Sequence, residues 1–183
     1  PRLHRGNALP GDYIVSTGFH GLSRLGLAIL TFESIPHELS PQLVNRAINA
    51  HKRPYPAVKA LKELIACKPK SSSWRAAGTD SSDGLIESIR GICQSSNCQA
   101  VLSKNSILKD PDWPKDSSLD DWVLNGGEDY ELILSLPKKW AIALTKKLKS
   151  AQIIGLMKEG NPSIYWDNLE KIDVNKSSLF QHF

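Results

Sequence analysis

Short runs of β-branched and aromatic residues alternate along this chain with stretches whose apolar residues recur every three or four positions. That alternation restricts the fold more than any other feature, because each element is apolar on one face or stripe and must bury it against another. Residues 13–17, entered by Pro10-Gly11-Asp12 and left by Gly18, read as a strand between turns. Residues 74–79, 99–102, 131–136, 152–157 and 163–166 read the same way, the last two flanking a Gly160-Asn161-Pro162 turn. Helical spacing covers residues 21–32, the stretch from Ser40-Pro41 to Arg53-Pro54, and residues 56–68, where Val58, Leu61, Leu64 and Ile65 form one face. It returns after Asp80-Ser81-Ser82-Asp83-Gly84, with Leu85, Ile86, Ile89, Ile92 and Cys93 in step and Ser82 placed to cap the first turn, and again over residues 137–149. A Pro- and Asp-containing loop is predicted through Trp113-Pro114. The fold class is therefore α+β, α/β-like in its alternation, with helices packed on a mixed sheet.

The chain has 183 residues, enough for one sizeable core and too few for two full domains. With 40% hydrophobic and 23% charged residues it falls outside the disordered and collagen-like classes. The longest apolar stretch, residues 25–32, falls far short of the ~20 residues that cross a bilayer, so no membrane association is expected. Cys67, Cys93 and Cys98 are odd in number and contain no CxxC pair, which signals neither a disulfide framework nor a zinc site and points to a reducing cytoplasm. The first residues, Pro-Arg-Leu-His-Arg, lack an initiator Met and a signal-peptide apolar region, and read as cut from a longer chain. A net charge of +4 favours anionic partners without choosing among them. The lysines 138, 139, 146, 147 and 149 flank a Trp140, Leu144, Leu148 stripe; without interleaved arginines and aromatics they form a solvated basic face, and no nucleic acid is expected.

Chemistry concentrates at two places. Asp80 and Asp83, three residues apart where a strand ends and a helix begins, can converge on a hard cation such as Mg²⁺, with Ser82 and the first helical N–H groups facing a phosphate. The same residues also suit a plain helix start whose acidic first turn complements the macrodipole. Gly126-Gly127-Glu128-Asp129 is a second acidic cluster, either a ligand-contacting turn or a connecting loop. His51-Lys52-Arg53-Pro54-Tyr55-Pro56 could hold a phosphate or simply turn the chain. Gly11-Asp12 with Gly18 and Gly21 lacks the spacing of a P-loop or a dinucleotide fold.

Taken in order, Gly11-Asp12-x-Ile14-Val15-x-x-Gly18, His51-x-Arg53-Pro54-x-Pro56, Asp80-x-Ser82-Asp83-Gly84-Leu85 and Gly126-Gly127-Glu128-Asp129-Tyr130-Glu131-Leu132 resemble the successive motifs of the C-terminal half of thiamine-monophosphate kinases. The ending Phe180-Gln181-His182-Phe183 is similar to the ending of that family. The resemblance implies the C-terminal domain shared with aminoimidazole ribonucleotide synthetases and selenophosphate synthetases. Residues 1–183 would form one such domain, with residues 1–10 a linker from an N-terminal ATP- and Mg-binding domain. It implies ATP-dependent phosphorylation of thiamine monophosphate, in the cytoplasm, by an enzyme homodimeric at full length and inactive as this stretch alone. Asp80 and Asp83 would hold Mg²⁺, Ser82 and Arg5 would contact ATP, and Glu128 and Phe180 would contact the substrate, with no catalytic residue beyond these ligand-positioning ones. Leu22 stands where the family usually has Asp, and Gly78-Thr79 replaces a larger apolar pair. The competing expectations are another ATP-dependent synthetase of the superfamily and a non-catalytic module for an acidic partner.

Overall fold

The computed structural model describes residues 2–115 and 118–172. Six strands, β1 (Tyr13–Ser16), β2 (Ala77–Asp80), β3 (Gln99–Leu102), β4 (Leu132–Leu136), β5 (Gln152–Lys158) and β6 (Ser163–Trp166), form one sheet in the order β2-β4-β1-β5-β3-β6. Every neighbouring pair is antiparallel except β3 and β6, which makes the sheet mixed as expected. The helices are α1 (Leu22–Leu30), α2 (Pro41–Lys52), α3 (Val58–Ala66), α4 (Leu85–Ser96), α5 (Asp120–Asn125) and α6 (Lys138–Lys147).

Alternation along the strands divides the core between the two faces of the sheet. Ile14 and Ile133 point to the face covered by α4, where they pack with Leu85, Ile86, Ile89, Ile92 and Cys93. Val15 and Leu134, one residue on in each strand, join the opposite face, where Trp140 and Leu144 of α6 meet Leu64 of α3. Trp140 is fully buried and its indole N–H donates to the Leu64 carbonyl at 2.9 Å, so the large ring carries no orphaned donor. A third cluster, Leu25, Leu43, Ala47, Trp113, Leu119 and Val123, fastens α1 and α2 beside the sheet. A Cβ on Gly26 would run into the Ala47 carbonyl, and the bare glycine lets these two helices approach.

One buried ion pair locks the entrance to β1. Asp12 is 2% exposed, accepts two 2.7 Å hydrogen bonds from the Arg75 guanidinium, and also accepts from Leu9 N–H and the Ser135 hydroxyl. The glycine-and-aspartate pattern at Gly11-Asp12 thus works in the fold.

The structure departs from the sequence reading at five points. Residues 74–76 are not strand: Trp74 turns its indole edge-on to Trp140 and donates to the Arg2 carbonyl, and Arg75 is drawn to Asp12. Ser82 does not cap α4. The residue before that helix is Gly84, at φ 99° and ψ 162° with no side-chain cap, while Ser88 donates back to the carbonyls of Gly84 and Asp80. Asp83 consequently lies in a turn ahead of the helix and outside its first turn. The loop after Trp113 contains a short helix, α5, that the sequence reading did not include. In α3 the core-facing residues are Ala60 and Leu64, and Val58, Leu61 and Ile65 are exposed. Among the described residues no helix is long and apolar enough to cross a membrane.

Candidate functional site

At one rim of the sheet β2 and β1 end and β4 begins, side by side, with Asp80 opposite Leu132 and Ser16 opposite Ile133. Three turns leave this rim, and hydrogen bonds stitch them together. Ser81, fully buried, donates its N–H to the Glu131 carbonyl at 2.9 Å and accepts the Glu131 N–H on its hydroxyl at 3.1 Å. One residue on, the Ser82 carbonyl accepts the Glu128 N–H at 2.8 Å. Gly84 completes the arrangement: a Cβ there would sit 3.0 Å from the Asn125 carbonyl oxygen, and its positive φ disfavours other residues. The two acidic motifs, more than forty positions apart in the chain, thus form one backbone unit.

Two clefts open on either side of it. The first, of about 760 Å³, is lined by residues 3–7 and 78–80 together with Ser95 and Leu132. It brings Arg5 and Asp80 together: the Arg5 guanidinium donates to the Thr79 hydroxyl at 3.1 Å, and Thr79 lies next to Asp80 at the end of β2. Residues 4–8 are packed against the domain, with His4 bridged to Ala77 and the 3₁₀ turn Arg5–Asn7 beside α4. Ser82 is half-buried and Asp83 exposed in the turn beyond Asp80, and neither lines this cleft.

The second cleft, of about 400 Å³, holds Glu128. Its other walls include Phe19, Leu22, Arg53, Tyr55, Asp129 and Glu131. Glu128 and Tyr130 sit at φ 65° and 52°, left-handed backbone that non-glycine residues seldom adopt and that often accompanies functional turns. The Glu128 carboxylate lies 3.6 Å from His51 Nδ1, which is itself 3.2 Å from the Ser23 hydroxyl. Asp129 is half-buried as a residue, but its carboxylate is turned inward onto the amides of Gly21 at 2.8 Å and Ser23 at 3.1 Å, at the start of α1. Loss of hydration pushes its pKa up to about 7, against the opposing pull of those two N–H groups. Glu131 is raised for the same reason, while the Thr17 hydroxyl, donating at 2.5 Å, draws it back. Behind this wall His20 is 1% exposed with Nε2 unpartnered among the described residues; burial lowers its pKa to about 4 and holds the ring neutral.

In the sequence Asp129 and Glu131 stand out only as members of a motif. Their contacts to Gly21 and Thr17 join residues over a hundred positions apart, so no local signal revealed them. Phe180 lies outside the described residues. Among the described residues no cluster of three or more His, Cys, Asp and Glu is arranged to hold a metal ion.

No protein-family model matches the chain. It is 48% identical over 183 residues to the thiamine-monophosphate kinase of Prochlorococcus marinus, covering 99% of this chain and 55% of that protein. The thiamine-monophosphate kinase of Synechococcus elongatus is 37% identical over 185 residues, covering 99% of this chain and 54% of its own length. The chain spans about half the length of the curated relatives it matches. Among solved structures, a ThiL complexed with AMPPCP and TMP superposes with a TM-score of 0.75 at 24% identity, over 99% of this chain and 54% of the other. The hydrogenase maturation protein HypE of Escherichia coli superposes at 0.66 with 16% identity, over 97% and 54%. The α+β fold with its mixed sheet is that of these proteins.

Proposed function

We propose that this chain, a relative of the thiamine-monophosphate kinases along nearly its whole length, is the C-terminal portion of such an enzyme and serves the ATP-dependent phosphorylation of thiamine monophosphate to thiamine diphosphate. The reading rests on the 2.8 Å hydrogen bond from Glu128 N–H to the Ser82 carbonyl, which ties the turn bearing Asp80, Ser82 and Asp83 to the turn bearing Glu128. Transfer between two anionic partners depends above all on holding them in register, and a shared backbone unit supplies a rigid frame for both.

In this reading Arg5 and Ser82 contact ATP, the cation and the hydroxyl each suited to phosphate oxygens. Asp80 and Asp83 are the Mg²⁺ ligands. Both carboxylates are exposed at the rim, and two hard oxygen donors with water and phosphate oxygens completing the shell suit Mg²⁺, which seldom takes an all-protein cage. When bound, the ion would offset negative charge on the phosphoryl group in transit. Glu128 and Phe180 take the acceptor. The carboxylate would meet the aminopyrimidine and the ring the thiazolium cation. The γ-phosphoryl passes in line to the terminal phosphate of the acceptor, and no covalent intermediate on the protein is required. We also place residues 1–10 as the connection to an N-terminal domain that completes the metal and nucleotide sites, in a cytoplasmic homodimer.

The test is to incubate the complete polypeptide carrying this chain with Mg-ATP and thiamine monophosphate and to follow thiamine diphosphate. Steady production is the expected result. Turnover of a different phosphoryl acceptor, with thiamine monophosphate left untouched, would overturn the reading in favour of another synthetase of this fold.

A further inference from the structure

The His51-Lys52-Arg53-Pro54-Tyr55-Pro56 stretch has no part in the roles assigned so far, yet it forms one wall of the 400 Å³ cleft that holds Glu128, through Arg53, Pro54 and Tyr55. We infer that Arg53 and Tyr55 determine the specificity of this cleft, Arg53 by binding the phosphate of the acceptor and Tyr55 by presenting an aromatic face to its flat cationic ring. The inference rests on the proposed acceptor site.

Electrostatics single out Arg53. The Glu128 carboxylate lines the cleft beside Asp129 and Glu131, which burial draws toward their neutral forms, so an acceptor bearing a phosphate finds no positive charge on this wall. Two arginines also line it. Arg46 is already engaged, giving a two-pronged contact to Asp110 at 2.8 and 2.7 Å and a third bond to Asp112 at 2.6 Å. The guanidinium of Arg53, exposed, makes no hydrogen bond or ion pair among the described residues, and so keeps its planar fork for a ligand. Its position is anchored from within, since His51, two residues earlier in the last turn of α2, lies 3.6 Å from the Glu128 carboxylate.

Tyr55 is 78% exposed, an unusual setting for a large ring, and it stands between two prolines. Pro54 fixes its own φ and Pro56 disfavours helical backbone at the preceding Tyr55, so the ring lines the cleft with little backbone freedom left to lose. A cleft of 400 Å³ is within the common range for a small organic ligand. The uncommitted Arg53 guanidinium, the Glu128 carboxylate and the Tyr55 ring around such a volume match a molecule that is anionic at one end and a flat heterocyclic cation at the other.

The experiment compares thiamine monophosphate as substrate with thiamine, which lacks the phosphate, as competitive inhibitor, using the complete enzyme. Arg53→Gln is expected to raise the KM for thiamine monophosphate about tenfold, the scale of a lost charge-assisted contact, and to leave the inhibition constant of thiamine in place. Tyr55→Ala is expected to weaken both several-fold, and Tyr55→Phe to restore both, because the phenyl face is kept. Equal weakening of both ligands by Arg53→Gln, tighter binding of thiamine to Tyr55→Ala, or no change in either variant would overturn the inference while the kinase reading stands. Failure of the unaltered enzyme to use thiamine monophosphate would remove the kinase reading and this inference together.

Discussion

Asp129 accepts a 2.8 Å hydrogen bond from the Gly21 amide, so the first turn of α1 is closed by a carboxylate 108 positions further along the chain. Helix starts are usually capped by their own neighbour. Here the N-cap position is Gly21 in left-handed backbone, without a side chain to do so, and the distant carboxylate takes over. One group therefore couples the second acidic motif to the helix that packs beside it.

That coupling gives stability a pH dependence with a definite sign. In the folded chain the Asp129 pKa is about 7 against an ordinary 3.8, so the folded state holds this proton more tightly than the unfolded chain does. Below about 4 the group is protonated in both states and contributes nothing; between about 4 and 7 its ionisation increasingly disfavours the fold, and above 7 that cost is complete. Denaturant melts of wild type and Asp129→Asn at pH 5 and pH 8 should show the difference moving in favour of the variant at the higher pH, by on the order of a few kcal/mol. A difference independent of pH would contradict it.

Asp80→Asn and Asp83→Asn in the complete enzyme should each lower turnover tenfold or more, on the order expected for a lost charge–metal contact, with the melting temperature nearly unchanged. Both side chains are exposed, and a carboxylate near a helix start contributes only ~0.3–1 kcal/mol through the dipole. Unchanged rates and unchanged Mg²⁺ dependence in both variants would leave these residues as a plain helix entrance.

Incubated alone with Mg-ATP and thiamine monophosphate, residues 1–183 should form little or no thiamine diphosphate, because the proposed ligands Asp80 and Asp83 belong to no group of three or more metal-binding side chains among the described residues. Sustained product from this stretch alone, read by chromatography, would show that the described half is sufficient.

Removing Arg75 strands Asp12. The Asp12 carboxylate is almost fully buried while the arginine is about a third exposed, so Arg75→Ala should cost about 3 kcal/mol, the low end for a broken buried pair. Chemical denaturation would measure this, and a loss under about 1 kcal/mol would mean that water replaces the guanidinium easily.

Two glycines should respond in opposite directions. A Cβ on Gly126 would strike the Trp122 carbonyl that its own N–H bonds, so Gly126→Ala should destabilise by about 1–3 kcal/mol and disturb the neighbouring Glu128 turn. At Gly91, inside α4, the nearest atoms belong to Arg5 at an ordinary 3.5 Å, and Gly91→Ala should stabilise by about 0.5–1 kcal/mol. Thermal melts of the two variants would decide.

Elements governed by local signals were legible in the sequence. α2 begins where Ser40 and Pro41 said it would, with the Ser40 hydroxyl accepting the Leu43 N–H at 3.1 Å. The apolar period of α4 also predicted its buried face, Leu85 to Cys93. Two of the misses share a cause, which is that a distant partner overrides the local pattern. Arg75 leaves the strand pattern for Asp12, 63 positions away, and Ser82 gives its carbonyl to Glu128 instead of its hydroxyl to a helix. α5 has six residues, too few for a period to register, and is held by the apolar contacts of Leu119 and Val123. The order of motifs was legible; that their backbones bond to each other was not.

Asp80, Ser82, Asp83 and Glu128 lie toward one rim of the sheet, whereas the Gly160-Asn161-Pro162 turn joins β5 to β6 at the other. Four-residue strands separate the rims by roughly 13 Å, which keeps changes at that turn remote from the cleft that holds Glu128. Asn161 and Pro162 are exposed, and with this geometry the turn is the natural place for an affinity tag, a fluorophore or an inserted reporter domain. A protein engineer could thus watch this chain bind its ligands from a handle on the far side of the molecule.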